Sequence, residues 1–256
     1  MFTRHHLILI FLLPLVILGQ IQTKKVINQQ IQTWVSLNSI TKFSNHWGIA
    51  ADAHLRTNGF FEGNNFYFLR GGLGYIPNTV VSIVGGYAHM WLAPTNPDWN
   101  TYSDENRIYQ QAQINSKIGK VALLQRIRNE QRWQEKIAND ELTGEIRFTN
   151  RVRYLISFNI PIFKKKTSPS LVLSDEVLIQ FGKEVVYNTF DQNRIFIGIK
   201  QSINSELSFD LGYMNAYQQK YSGYEYDMNH TLRLFFYLNT CLKKPPFEDN
   251  HTSGDE

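Results

Sequence analysis

The chain has 256 residues, with 26 Lys and Arg against 22 Asp and Glu, and 14% Phe, Trp and Tyr. That length suits one large β-domain or two small ones, and a mildly positive balance without a long basic run argues against a nucleic-acid-binding arm. The single cysteine, Cys241, excludes an internal disulfide and a cysteine metal cluster.

Residues 1–6 carry Arg4. Residues 7–18 form a short apolar run broken by Pro14, followed by Gly19 and the polar Gln20, Gln22, Thr23 and Lys24. This is the pattern of a secretory signal peptide over residues 1–19, cleaved near Gly19, with an uncleaved anchor as the alternative. The run is too short for a spanning helix, and no later stretch reads as one. Export leaves the periplasm, secretion or the outer membrane of a Gram-negative cell.

From residue 30 the chain alternates with a period of two, the mark of strands with two unlike faces. Over 30–38, Gln32, Trp34 and Ser36 alternate with Ile31, Val35 and Leu37; over 47–56, Asp52, His54 and Arg56 alternate with Ile49, Ala51, Ala53 and Leu55. Residues 66–75 set Arg70, Gly72 and Gly74 against Tyr67, Leu69, Leu73 and Tyr75, and Pro77-Asn78 turns the chain. Residues 79–91 place Val81, Ile83, Tyr87 and Trp91 opposite Gly86, and 94–103 is a long polar loop. Over 105–118, Glu105, Arg107, Tyr109 and Gln111 oppose Ile108, Ala112 and Ile114, before a tight turn at Gly119-Lys120.

Residues 121–158 carry the strongest pattern. Arg126, Arg128, Glu130 and Arg132 fall on every second position, against Leu123, Ile127 and Trp133. A polar break at 136–144 reads as a long connection, after which Glu145, Arg147, Arg151 and Arg153 alternate with Ile146, Phe148, Val152, Tyr154 and Ile156. A helix over 123–138 competes, because Gln, Arg, Glu and Lys favour helices. Its apolar residues, however, would drift around the helix instead of forming a stripe. Further strands cover 170–181, with Glu176 opposite Val177, and 192–200, with Arg194 and Lys200 opposite Ile195, Ile197 and Ile199. Residues 207–213 hold Asp210 opposite Leu211, 218–227 is a Tyr-rich loop, and 230–238 sets Arg233 opposite Leu232 and Leu234.

One charged face against one apolar face is inside-out for a sandwich in water; it suits a barrel with lipid outside and charges within. Turning Arg126, Arg128 and Arg132 outward would cost about 6–12 kcal/mol if all three sat at the membrane midplane, comparable to the whole stability of a domain. The interior is therefore expected to hold Asp52, Arg56, Arg70, Glu105, Arg107, Arg126, Arg128, Glu130, Arg132, Glu145, Arg147, Arg151, Arg153, Glu176, Arg194 and Asp210. Arginines outnumber acids there, so the lumen should be electropositive and filled by bidentate arginine–carboxylate pairs. Eleven candidate strands emerge. Even strand numbers and alternating short and long connections, as in bacterial barrels, call for an additional strand within 22–29, giving about twelve, or ten if weak strands merge. The expected fold is an all-β antiparallel transmembrane barrel over 20–240, with a flexible polar tail at 241–256.

Several pieces in order resemble an uncharacterised family of Gram-negative outer-membrane proteins, domain of unknown function 2490. They are Gln32-x-Trp34; Lys42-Phe43-Ser44 with Trp47; Arg56; Arg70-Gly71-Gly72-Leu73-Gly74-Tyr75; and Gly85-Gly86-Tyr87. Glu105-x-Arg107, Arg126-x-Arg128-x-Glu130-x-Arg132, Arg147 to Arg153, Glu176, Phe190-Asp191-Gln192-Asn193-Arg194 and Gly212-Tyr213-Met214 follow. The resemblance implies a barrel and an outer-membrane address, and no activity. The chain departs from many outer-membrane barrels in the polar residues that follow Tyr237 and Leu238.

The residues themselves point to a small anion-preferring pore, or to a barrel plugged by ion pairs that serves as scaffold or binding surface, with outer-membrane lipid and small anions as partners. An outer-membrane lipid hydrolase is one alternative: His54, His89 and His230 with Ser36, Ser82 or Ser208 are candidates, but no spacing pairs them. Glu130 with Glu145 as a glycosidase pair is disfavoured, because neighbouring arginines hold carboxylates ionised where a general acid needs its proton. A soluble secreted barrel is the other alternative. No cofactor or metal site is expected, since no His, Asp and Glu cluster has ligand spacing.

Overall fold

A computed structural model describes residues 24–94, 96, 98–164 and 168–242. The signal-peptide reading of 1–19 and the tail reading from residue 243 lie outside the described residues.

The described residues form eleven strands: β1 (Val26–Lys42), β2 (Trp47–Asn58), β3 (Gly63–Tyr75), β4 (Val81–Leu92), β5 (Ser103–Ile118), β6 (Val121–Ala138), β7 (Glu141–Pro161), β8 (Ser170–Phe181), β9 (Phe190–Ser202), β10 (Leu207–Gln219) and β11 (Glu225–Cys241). They close into one barrel in which each strand pairs with its sequence neighbours. Every pairing is antiparallel except the closing one, where β1 runs parallel to β11 from Val26 opposite Glu225 to Lys42 opposite Cys241. The strand count lies between ten and twelve, but it is odd. Residues 26–29, expected in an extra strand, instead extend the start of β1. An odd count leaves the start of β1 and the end of β11 at opposite mouths.

The expected alternation of connection lengths is not found. Residues 43–46, 76–80, 119–120, 162–169 and 203–206 join strands at one mouth, and 59–62, 93–102, 139–140, 182–189 and 220–224 join them at the other. Each mouth has one two-residue turn. The stretch 136–144, expected as a long connection, is the tip of the β6–β7 hairpin. Asn139 and Asp140 both take left-handed backbone angles (φ 53° and 61°), the demand of a tight hairpin turn that Asn and Asp tolerate best among side-chain-bearing residues. Polarity at this tip reflects strands projecting beyond the barrel wall, not a loop.

Alternation sorts the side chains as the sequence requires. Ile49, Leu69, Ile83, Ile127 and Ile195 point outward and remain 51–55% exposed. Aromatic rings gather toward both mouths on this outer face. Trp47 packs on Tyr75 at 5.2 Å near the β5–β6 turn; Trp133 packs on Phe148 at 5.3 Å, and Tyr217 stacks on Tyr226 at 5.0 Å, near the other mouth. Several outward polar groups bond one another. His230 joins Tyr213 and Gln29, each at 2.7 Å, and Asn193 donates to Asp175 at 2.6 Å.

Two apolar clusters occupy the interior. Trp34, Val172, Phe196, Met214 and Ala216 form one; Phe66, Phe68, Ala88 and Met90 form the other. Gly72 and Gly86 are direct partners on β3 and β4. A Cβ at Gly86 would sit 2.2 Å from the Gly71 carbonyl oxygen, and one at Gly72 would sit 2.4 Å from the Tyr109 hydroxyl. Missing side chains let β3 and β4 approach closely here and give the Tyr109 ring its place.

Candidate functional site

The barrel is filled across its width by an ionic layer. Alternation on β5 to β9 aims the layer's charged side chains inward, and pairing in register brings carboxylates between guanidiniums. Glu130 on β6 accepts from Arg151 Nε at 2.9 Å and Arg153 Nη1 at 2.9 Å, with Arg128 at 3.5 Å and Arg107 at 3.7 Å. Glu176 on β8 accepts from Arg153, from Arg126 Nη2 at 2.8 Å and from Arg194 Nη1 at 3.2 Å. Glu105 on β5 holds Arg107 at 2.5 Å and Arg132 at 2.7 Å. Arg151 reaches on to Asp191 at 3.0 Å. These contacts form one chain of alternating charge from β5 to β9. Asp52–Arg70 and Asp210–Arg233 are separate pairs, the latter shared with the Tyr237 hydroxyl, which donates to Asp210 at 2.7 Å.

The layer is dry. Glu105 is fully buried, Glu130 is 2% exposed, and Arg107, Arg128, Arg132, Arg151, Arg153 and Glu176 are all buried. Such charges are tolerable only because nearly all are paired several times over.

Three residues of the expected set stand apart. Glu145 is exposed on the projecting hairpin and bonds Lys136 at 3.3 Å. Arg147 bonds Glu184 at 2.8 Å, at the rim. Arg56 faces the lumen, yet among the described residues no carboxylate lies within salt-bridge distance. Its guanidinium stacks on Trp34, 3.3 Å from the ring centroid, and lies 4.2 Å from that of Phe66. Two partners lie outside the expected interior set. Arg233 is on the inward face of β11, where its spacing against Leu232 and Leu234 makes it readable. Asp191 is not readable that way: pairing of β8 with β9 slips between Leu178 and Ile179, so Asp191 and Gln192, although adjacent, are both buried.

Among the described residues, and leaving aside those at the rim, ten inward arginines (56, 70, 107, 126, 128, 132, 151, 153, 194 and 233) meet six carboxylates (52, 105, 130, 176, 191 and 210). The interior is electropositive. A cavity of about 1030 Å³ runs along the lumen; the layer's own side chains line it, as do Gln134, Gln218 and Tyr221 near the opposite mouth. Toward the β5–β6 mouth its wall includes Ile40, Ala50, Val84, Leu124, Ser157 and Val172. At the opposite mouth Tyr221, from the β10–β11 connection, donates to Gln134 on β6 at 2.7 Å, and the Arg147 guanidinium covers its ring at 3.7 Å.

At this rim two carboxyl groups are held below the usual carboxylate range. Glu184 is lowered by hydrogen bonds from Arg147 and Lys136, and Asp140 by the backbone amides of Thr101 and Asn100.

The hydrolase candidates do not assemble. His89 and His230 are on the outer face, and Ser82 and Ser208 are inward on other strands. His54 is the register partner of Ser36, but Ser36 Oγ accepts from Asn38 and His54 Nε2 has no hydrogen-bond partner. Glu130 and Glu145 lie apart, one in the ionic layer and one on the exposed hairpin. Among the described residues, no group of three His, Cys, Asp or Glu side chains could hold a metal ion.

An apolar outer wall, a closed sheet and a charged, largely filled interior define a β-barrel of the inside-out kind. The chain belongs to the family described as protein of unknown function (DUF2490), whose sequence profile matches residues 31–227. No curated protein and no solved structure matches the chain.

Proposed function

We propose that the protein is an outer-membrane β-barrel sealed at its waist by the arginine–carboxylate layer, acting as a closed binding barrel. The observation that carries the membrane reading is the outer face. Its half-exposed aliphatic side chains cover the wall between two sets of aromatic rings, an area far larger than the few hundred Å² of contiguous apolar patch usual on a soluble monomer. Outward polar groups bonded to one another, such as His230 with Tyr213 and Gln29, suit a surface without water. The burial of Glu105, Glu130 and Glu176 supports the seal. Water-filled pores keep their lining wet, whereas these carboxylates are enclosed by protein.

Membrane fractionation tests the address: the mature chain stays with membranes through carbonate washing and comes off in detergent. Release by carbonate alone would favour the soluble barrel. A pore for small anions is the second reading, favoured by the excess of ten inward arginines over six carboxylates. Planar-bilayer recording separates the two, since a sealed barrel passes no steady current and a pore passes an anion-selective one.

A further inference from the structure

Arg56 breaks the logic of the interior. The charged groups of the ionic layer are satisfied by opposite charges, whereas Arg56 has none in reach. Its Nε has no hydrogen-bond partner, and neither has His54 Nε2 two residues away on the same face of β2. The surrounding charges make matters worse: the guanidiniums of Arg194, Arg153, Arg107 and Arg151 all act on Arg56. Only the faces of Trp34 and Phe66 offset the charge. A half-buried cation whose Nε is enclosed and unpartnered is an acceptor-shaped gap in the network.

Both residues line the cavity. Around them the wall is aromatic: the His54 ring lies 5.0 Å from that of Phe68 and 5.6 Å from that of Phe235. Further along, toward the β5–β6 mouth, the wall carries Ile40, Val84, Leu124 and Val172, interleaved with polar groups such as Ser82, Gln111 and Ser157. Unpaired donors at one end of a chamber and aliphatic side chains further along it match a molecule of the same two-part chemistry. At about 1030 Å³ the chamber has room for a drug-sized ligand.

We propose that the lumen binds a single-tailed amphiphilic anion, with its carboxylate or phosphate head at Arg56 and His54 and its tail along the aliphatic side chains toward the β5–β6 mouth. A planar guanidinium takes either head through two parallel hydrogen bonds. The stacked Trp34 ring holds that guanidinium in place, and Arg194, 5.1 Å from the same ring, adds a second positive charge. The site rests on the sealed-lumen reading and is independent of the membrane address.

The test uses the mature chain in detergent, with bound ligand counted by native mass spectrometry. Sodium octanoate and octyl phosphate are compared with octan-1-ol, octylammonium and sodium acetate. One octanoate or octyl phosphate binds per chain, whichever of the two is tighter naming the head group. Octanol, octylammonium and acetate bind far more weakly. Arg56→Gln weakens binding roughly tenfold, the expected effect of losing one charge-assisted pair of hydrogen bonds, and Arg56→Lys retains part of it. Equal binding of octanol overturns the proposal, as does octanoate affinity unchanged in a folded Arg56→Gln protein. Acetate binding as tightly as octanoate overturns the tail site. The contrast among ligands on the wild-type chain decides the matter even where the variant does not fold. Bilayer recording of the same preparation reports separately on the seal: steady current would show that the lumen reading itself has failed.

Discussion

Arg153 and Glu176 meet face to face inside the barrel, with Arg153 Nη2 2.8 Å from each carboxylate oxygen and Nε 3.1 Å from Oε1. Glu176 also serves Arg126 and Arg194, so one carboxylate holds three guanidiniums from three strands. Replacing it with Gln leaves three buried cations short of charge. Glu176→Gln is expected to destabilise the barrel by about 3–5 kcal/mol, the cost of breaking a buried pair from one side. Glu145→Gln, on the exposed hairpin, is expected to change stability by less than about 1 kcal/mol. Urea unfolding of the two variants in detergent, with the heat-induced gel shift as the check of the folded form, measures both.

Arg56 and Arg151 should respond in opposite ways to the same change. Arg151→Met strips a partner from both Glu130 and Asp191 and is expected to cost about 3–5 kcal/mol. Arg56→Met leaves no carboxylate behind. It loses stacking on Trp34 but relieves repulsion from neighbouring guanidiniums, so its unliganded stability is expected within about 1 kcal/mol of wild type. Comparable large losses in both variants would mean that Arg56 has a structural partner after all.

The close approach of β3 and β4 depends on absent side chains. Gly86→Ala pushes a methyl group against the Gly71 carbonyl and the Gly72 Cα, backbone atoms that cannot step aside. A loss of about 1–3 kcal/mol or more is expected. Gly85→Ala is the control: its Cβ would meet nothing nearer than the Tyr109 carbonyl oxygen at 4.0 Å. Refolding yields of the two alanine variants distinguish this account from one in which both glycines simply lend flexibility.

At the rim, Asp140 Oδ1 accepts the amides of Asn100 at 2.8 Å and Thr101 at 2.7 Å, docking the β4–β5 connection on the β6–β7 turn. Those bonds favour the carboxylate, so its pKa lies below the ordinary aspartate value. A lowered pKa means that docking is complete above the ordinary value and is lost as pH falls through the lowered one. Hydrogen exchange at Asn100 and Thr101 is therefore expected to stay slow through neutral and mildly acidic pH and to accelerate only in strong acid, relative to the intrinsic rate at each pH. Asp140→Asn should leave exchange faster and independent of pH beyond that intrinsic trend.

The faces of the strands were readable because an apolar outer face and a charged lumen impose a period of two: Arg126 to Arg132 and Arg147 to Arg153 declare their side without any knowledge of partners. Burial in pairs was not readable, because partners come from strands far apart in sequence, as Arg126 and Glu176 do. Two local events also defeated alternation. The slip in pairing beside β9 turns Asp191 inward together with Gln192, and the polar hairpin tip at 136–144 looks like a loop although it is paired almost to its end. Arg56 looked like any other inward arginine; only the positions of the six carboxylates show that it was left over.

The central claim is that the apolar face of this barrel meets lipid and the arginine layer does not. Lipids brominated along their acyl chains, which quench tryptophan fluorescence on contact, test it directly in two variants that retain one tryptophan each. With the chain reconstituted in such bilayers, Trp133, on the outer face near a mouth, is predicted to be quenched. Trp34, buried beneath Arg56 in the lumen, is predicted to keep its emission. No quenching of Trp133, or quenching of Trp34 as strong as that of Trp133, would contradict the account.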